Sequence, residues 1–356
     1  MTGLRVVQWA TGNIGSRSLQ HVIEHPQLTL AGLYVTSPAK AGRDAGDLCG
    51  LPPTGVIATS DADQVLALDA DCVIYMPAVC DLDQVCAILA RGTNIVTTRG
   101  EFHHPGSMPP ADRERVERAC AEGGTSIHST GSSPGFITEA LPLVLTSIQR
   151  RLDRLAIHEY ADVSDRNSPD MLFNLMGSGQ PAEEFPPERF GYAAYSFGPS
   201  MRLIGEAVGL PLDSVTATVA VAVTPEKLTI AAGTLDAGTV AGLRLIVTGT
   251  HQGRPLMTFT ASWCCAQVLE PAWDLRGAGW NGWNVQVDGD APLDVDIRFA
   301  IPEGRMGEMT PGYTANRAVN AVPCVCAAPP GIRTTVDLPQ IIPALGVSRP
   351  GAAAAP

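Results

Sequence analysis

Positive charge is in short supply in this chain. Its 356 residues carry 24 Lys and Arg against 36 Asp and Glu, a formal net charge of -12 at pH 7. Nucleic acids and anionic membrane surfaces are held by clustered Lys and Arg, so this balance argues against both as partners. No apolar run approaches the ~20 residues that span a bilayer. The nine cysteines are an odd set without a C-x-x-C pair. With no secretory apolar segment at the N-terminus, they are expected as reduced thiols in a cytoplasm. Internal repeats and long low-complexity segments are also missing. Charged residues make up 17% of the chain and hydrophobic residues 45%, the composition of a soluble enzyme long enough for two domains.

What is present is a change of pattern along the chain. The first third alternates β-rich runs with helical periodicity: "LRVVQW", "IGSRSLQHVIEH" up to Pro26, "LTLAGLYV", "DCVIYMP", "LDQVCAILARG", "NIVTT", "ADRERVERACAEGG" and "TSIHST". Strands alternating with helices predict a doubly wound parallel sheet, a Rossmann-type domain over residues 1–150. From about Leu152 come long β-rich runs without helical crossovers: "SVTATVAVAVT", "GLRLIVTGTHQG", "RPLMTFTASWCCAQV" and "PLDVDIRFAI". They predict a second, α+β domain over 151–310, built on a largely antiparallel sheet with helices near "SPDMLFNLMG" and "PSMRLIGEAVGL". The open face of such a sheet calls for cover, which a homodimer would supply. "TANRAVNAVPCVCAAPPG" returns to helical spacing, so a helical segment of about 311–340 is expected to pack back near the first domain. The tail "GAAAAP" is expected to fray.

Directly after the first strand stands "WATGNIGSR". Gly12 and Gly15 fill the last two positions of a dinucleotide fingerprint, while Ala10 and Trp9 stand where an earlier glycine is usual. Small residues there let the backbone approach a pyrophosphate at a helix N-terminus, whose free N–H groups and dipole favour negative charge. A glycine pair alone is a weak signal. Its place after a strand and at the opening of a helix favours a dinucleotide site over an ordinary tight turn. An NAD site usually carries an acid at the end of the second strand, to hold the ribose. Here "YVTSPAKAGRDAG" has none before Asp44, whereas Ser37, Lys40 and Arg43 lie where a 2′-phosphate would sit. NADP is therefore expected over NAD; the alternative is a solvated loop with two stray cations.

Ligands of open parallel sheets bind beyond the carboxyl ends of the strands. "NIVTT" ends at Thr98, which brings Arg99, Gly100 and Glu101 to that rim. Glu101 is the best-placed group for acid–base work or for holding a cation; its plain alternative is a solvated loop carboxylate. His103 and His104 lack further ligands at metal-site spacing, so no metal is expected. "GSSPG", Gly131 to Gly135, has the form of a hydrolase nucleophile elbow around Ser133. The next residue, Pro134, has no N–H for an oxyanion hole, and that reading fails. Cys264 and Cys265 read as strand residues facing opposite ways, and Cys324 and Cys326 as buried packing residues. Trp273, Trp280 and Trp283 flank a glycine-rich loop and read first as core.

Together "WATGNIG", "TSPAKAGRDAG", "NIVTTRGEF", "SSPGF", "ADVSDRNSPDMLF" and "TANRAVNAVP" resemble the 2,4-diaminopentanoate dehydrogenase and native amine dehydrogenase group, a branch of the dihydrodipicolinate-reductase-like superfamily. The resemblance spans nearly the whole chain. It implies a Rossmann domain and a substrate domain, usually dimeric, that interconvert an amine with a ketone or aldehyde plus ammonia, using NADP or NAD. The family's catalytic glutamate falls on Glu101, where it would bind ammonium and assist proton transfers around the carbinolamine and iminium. Cofactor contacts fall on Thr11, Gly12, Asn13, Ile14, Gly15, Ser37, Lys40, Arg43, Pro77, Thr98 and Asn320. Pro134, Tyr160, Asn167, Met171 and Thr314 would line the substrate pocket, and Arg166 leaves room for a carboxylate-bearing substrate. Dihydrodipicolinate reductase's own paired-His and Lys signature is reduced here to His158, which argues against that activity. Two alternatives remain open: an NADPH-dependent ketone or imine reductase that uses no free ammonia, and a non-catalytic NADP-binding sensor.

Overall fold

A computed structural model describes residues 3–186, 192–277 and 281–345; Trp280 and the "GAAAAP" tail lie outside them. The apolar run Leu4–Trp9 forms strand β1, buried from Val6 onward. It is followed by α1 (Asn13–Glu24), β2 (Leu28–Tyr34), α2 (Ala62–Leu66), β3 (Cys72–Tyr75), α3 (Leu82–Ala90), β4 (Asn94–Thr97), α4 (Pro110–Gly123) and β5 (Ser126–Ser129). The short strands β3, β4 and β5 are buried almost throughout, as crossover helices on both faces require. Asp61 and Asp81 cap α2 and α3 through their carboxylates, and Gly124, at φ 68°, closes α4 in the left-handed conformation.

The chain then passes through a kinked segment, Ser132–Ala140, non-helical at Ser133, Pro134 and Gly135, into α5 (Leu141–Thr146) and the long strand β6 (Leu152–Asp162). After α6 (Tyr192–Ala207) come β7 (Ser214–Val223), β8 (Leu228–Ile230), β9 (Gly233–Leu235), β10 (Val240–His251), β11 (Arg254–Cys264), β12 (Gly282–Gly289) and β13 (Leu293–Arg298). Helix α7 (Met306–Cys326) and strand β14 (Gly331–Arg333) complete the fold.

Two compact units result: Met1–Gly131 with Pro311–Pro356, and Ser132–Thr310. The division at Gly131 falls earlier than the expected 150. Ser132–Ala140 belongs with the second unit, where the Ser200 hydroxyl on α6 donates to the fully buried Glu139 (2.5 Å). In unit one, six parallel strands run in the order β14-β5-β4-β3-β1-β2. Ala318, Val319, Val322 and Val325 of α7 pack on Val6, Ile74 and Val96. The helical segment expected over 311–340 stops at Cys326, because Pro329, Pro330 and Gly331 end it and the chain adds β14 beside β5.

In unit two the order is β13-β12-β6-β11-β10-β7, with only β6 and β11 parallel. One face carries Leu155, Ile157, Phe259 and Val285, all buried, and Phe197 of α6 stacks on Phe259 (4.3 Å). The register places Arg154, His158, Tyr160, Thr260 and Arg244 on the other face. The helix expected at "SPDMLFNLMG" is a short turn, Asp170–Leu175. α6 starts well before Pro199, because a proline forfeits one N–H and burial of Phe197, Met201 and Ile204 outweighs that loss.

Candidate active site

The first turn is braced by residues that the glycine pattern does not include. Buried Gln8 donates from Nε2 to the Ala10 carbonyl (2.9 Å) and accepts the Ser18 hydroxyl at Oε1 (2.7 Å). Ala10 sits at φ 73°, the left-handed region that favours glycine. Ala10, Gly12 and Gly15 thus reproduce the spacing G-x-G-x-x-G with alanine in the first place, so the earlier glycine does have an equivalent. A Cβ on Gly15 would lie 2.3 Å from the Ala10 carbonyl oxygen, whereas one on Gly12 meets nothing within 4 Å. No side chain caps α1, which leaves its first N–H groups open at Asn13, Ile14 and Gly15. Trp9 turns away into the core and stacks on Tyr34 (4.1 Å). Replacing Ala10 by Gly should relieve the left-handed conformation and raise stability by about 1 kcal/mol, read as a higher melting temperature.

Beyond β2, Lys40 Nζ donates to the Thr11 carbonyl (2.7 Å) and to Thr11 Oγ1 (3.2 Å). Ser37 is half-buried in the same loop, its carbonyl accepting from the Lys40 N–H, and Arg43 is exposed. Asp44 is engaged elsewhere. Its carboxylate accepts from the backbone N–H groups of Thr54, Gly46 and Gly55. Those bonds, Thr54's foremost, hold it below the usual carboxylate range.

All strands of this sheet are parallel, so the turn after β1, the loop with Lys40, Pro77 after β3 and the residues after β4 share its carboxyl edge. Pro77 and Thr98 are half-buried there, Thr98 being the first residue past β4. Glu101 is 15% exposed, and Arg99 closes on it as a fork: Nη2 to Oε1 (2.6 Å) and Nε to Oε2 (3.2 Å). Nearby Cys80 has its thiol pushed up to about 11, by burial first and then by the charge of Glu101, so it is no nucleophile. On α7, the Oδ1 of Asn320 is buried without a hydrogen-bond partner among the described residues. An open face at Gly12, an uncapped helix start and an orphaned amide oxygen fit a dinucleotide.

Of the pocket residues expected in unit two, Tyr160 lies within β6. Strand alternation places it opposite Glu159: the Tyr160 and His158 rings stack (6.2 Å), while Glu159 accepts from the indole N–H groups of Trp263 and Trp283 (2.9 Å each). Trp283 also meets Phe136 (6.1 Å), two residues from Pro134, and Phe299 (4.5 Å). Met171 Sδ lies 3.9 Å from Arg166 Nη1 and Thr310 Oγ1 lies 3.4 Å from Arg166 Nη2. Burial lowers the pKa of Arg166 from its ordinary value, with Glu159 and Asp165 acting in the opposite direction. Asn167 is exposed. Thr314 is half-buried and belongs to unit one. The Trp–Glu–Trp row was missed, although the two-residue period of "LAIHEY" puts Glu159 on the apolar face with Ile157.

Other motifs resolve simply. Gly135 has φ 122° and its N–H donates to Thr138 (2.9 Å), while Ser133 Oγ has no partner, and so no hydrogen-bonded base, among the described residues. Cys264 ends β11 and Cys265 lies just past it, so strand alternation does not govern the pair. Their thiols are pushed up by burial to about 12 and about 11. Cys324 and Cys326 are half-buried rather than buried, since they flank Val325, which occupies the buried side of the last turn of α7. Trp273 lies under Arg244, whose guanidinium carbon is 4.3 Å from the ring centroid.

A parallel sheet with a glycine turn, an uncapped helix and charged rim residues defines a dinucleotide-binding protein. The model of the 2,4-diaminopentanoate dehydrogenase C-terminal domain matches residues 136–350. An amine dehydrogenase of Streptomyces virginiae is 30% identical over 96% of this chain and 98% of its own. The 2,4-diaminopentanoate dehydrogenase of Acetoanaerobium sticklandii is 24% identical over 72% of this chain and 69% of its own. The solved amine dehydrogenase of Mycobacterium smegmatis shares the fold, with a TM-score of 0.76 and 23% identity over 95% of this chain and 97% of that one. The chain belongs to the 2,4-diaminopentanoate dehydrogenase family, NAD(P)-dependent oxidoreductases that act on CH–NH2 groups.

Proposed function

We propose that this chain is an NADPH-preferring amine dehydrogenase: a ketone or aldehyde, ammonia, NADPH and a proton give the amine, NADP and water, and the reverse is oxidative deamination. The observation that carries it is Glu101, a mostly buried carboxylate just past β4 on the carboxyl edge of the parallel sheet. A bound nicotinamide would supply the hydride in one direction and accept it in the other. Glu101 would hold ammonium by charge, take a proton from it as nitrogen attacks the carbonyl, and return one to the departing oxygen. The α1 N–H groups and Gly12 would receive the pyrophosphate, with Thr11 and Lys40 beside it. Asn320 would turn its free amide oxygen to a donor on the cofactor. Unit two would supply substrate walls around Pro134, Asn167 and Met171. The polar sheet face with Tyr160 and Arg244 would be covered in a homodimer, and the reduced thiols fit a cytoplasmic setting.

The test is NADPH oxidation over a panel of small ketones and aldehydes, with and without ammonium. Turnover that appears only with ammonium supports the reading, and equal turnover without it makes the chain a plain carbonyl reductase. For cofactor choice, Lys40→Ala with Arg43→Ala should weaken NADPH binding ~100-fold, the scale of two lost charge-assisted hydrogen bonds. NADH binding should fall only about threefold, through the lost Lys40–Thr11 contact. Equal losses in a fluorescence titration would refute the 2′-phosphate role.

A further inference from the structure

Arg99 is held rigidly by its backbone. Its N–H donates to Thr97 Oγ1 (3.2 Å), and its carbonyl accepts the Ser129 hydroxyl (2.6 Å). From that base the guanidinium works in two directions. One edge forks onto both oxygens of Glu101, and Nη1 donates to the Ala78 carbonyl after β3 (2.7 Å). The side chain therefore ties the ends of β3 and β4, the Arg99 carbonyl holds that of β5, and the short reach to a residue two positions on is set by the turn Gly100–Phe102.

A carboxylate oxygen has about two acceptor sites. The fork takes one on each oxygen and leaves one on each for a substrate nitrogen. Two effects of opposite sign follow. The planar guanidinium fixes the plane of the carboxylate, so the remaining acceptor sites point in one direction. Its positive charge also offsets that of Glu101, which weakens the attraction for a second cation in the same place. An unpaired Glu101 would bind ammonium more tightly and aim it worse.

We propose that Arg99 is a positioning residue for Glu101: it orients the carboxylate for proton transfer and lowers its affinity for ammonium. This rests on Glu101 being the ammonium-binding carboxylate. A pair that merely ties the loops together would make a different prediction, since its loss would raise KM for every substrate and lower the melting temperature.

The experiment varies ammonium chloride at saturating NADPH and a fixed small ketone in three variants, with NADPH binding by fluorescence as the check on folding. In Arg99→Gln, kcat should fall ~10- to 100-fold, as expected for a misaimed catalytic group, while KM for ammonium falls about three- to tenfold because the competing charge is gone. In Arg99→Lys the charge remains but cannot fork, so KM should stay within about twofold while kcat still falls ~10-fold. If Glu101→Gln is inactive and Arg99→Gln leaves both constants unchanged, or raises KM for ammonium, the Arg99 proposal fails alone. Full ammonium-dependent turnover in Glu101→Gln would overturn the Glu101 reading and Arg99's role with it. Should Arg99→Gln not bind NADPH, Arg99→Lys decides, and a wild-type kcat there refutes the proposal.

Discussion

Glu101→Gln should lower ammonia-dependent turnover by ~10²- to 10⁴-fold, the usual contribution of a positioned acid–base group, while NADPH binding is retained. The substitution keeps the size of the side chain and removes only its charge and its capacity to take a proton. Arg99 would face a neutral amide, so one of its two bonds would weaken. At 15% exposed, the site is shielded enough for that loss to matter and open enough for the introduced amide to be solvated. A modest stability loss of about 1 kcal/mol is expected from the broken pair. Turnover with cofactor affinity measured alongside separates chemistry from folding. Wild-type amination rates in this variant would remove Glu101 from the mechanism.

The two glycines of the first turn should fail in different ways. In Gly15→Ala the new Cβ would lie 2.3 Å from the Ala10 carbonyl oxygen, a backbone atom that Gln8 already holds in place. The helix must move off the strand, at a cost of roughly 1–3 kcal/mol or more, with cofactor binding lost as well. In Gly12→Ala the Cβ meets no protein atom within 4 Å, and φ -68° suits alanine. Melting should be unchanged, yet NADPH affinity should fall ~10- to 100-fold as the pyrophosphate is kept from the N–H groups. Thermal melts and titrations on both variants check this. A Gly12→Ala protein that binds NADPH as wild type would place the phosphates elsewhere.

Much of unit one was legible because its signals are local. Strand–helix alternation, the helix-opening glycines and the acid-free end of β2 each occupy a few consecutive residues. What escaped depends on conformation or on distant partners. Ala10 looks like a missing glycine until its positive φ is seen, and no spacing reveals that Gln8 and Ser18 brace the turn. That Tyr160 lies on the sheet face opposite Glu159 follows from strand alternation once the register of β6 is known. No local spacing marks Glu159, because its partners, Trp263 and Trp283, lie more than a hundred residues downstream. The fork on Glu101 is written in three adjacent residues, "RGE", but only the turn at Gly100 folds the first back onto the third.

Unit one is discontinuous: Ser132–Thr310 intervenes between its first five parallel strands and the α7 residues that bury Val6, Ile74 and Val96. Synthesis proceeds from the N-terminus at ~5–20 residues per second. The first five strands therefore leave the ribosome well before α7 exists, and one apolar face of the nascent sheet must wait for all of unit two. Unit one begins first and finishes last, which makes it the part of this protein most exposed to chaperones and to aggregation during synthesis. A nascent chain stalled before Met306 should accordingly be protease-sensitive in its N-terminal half.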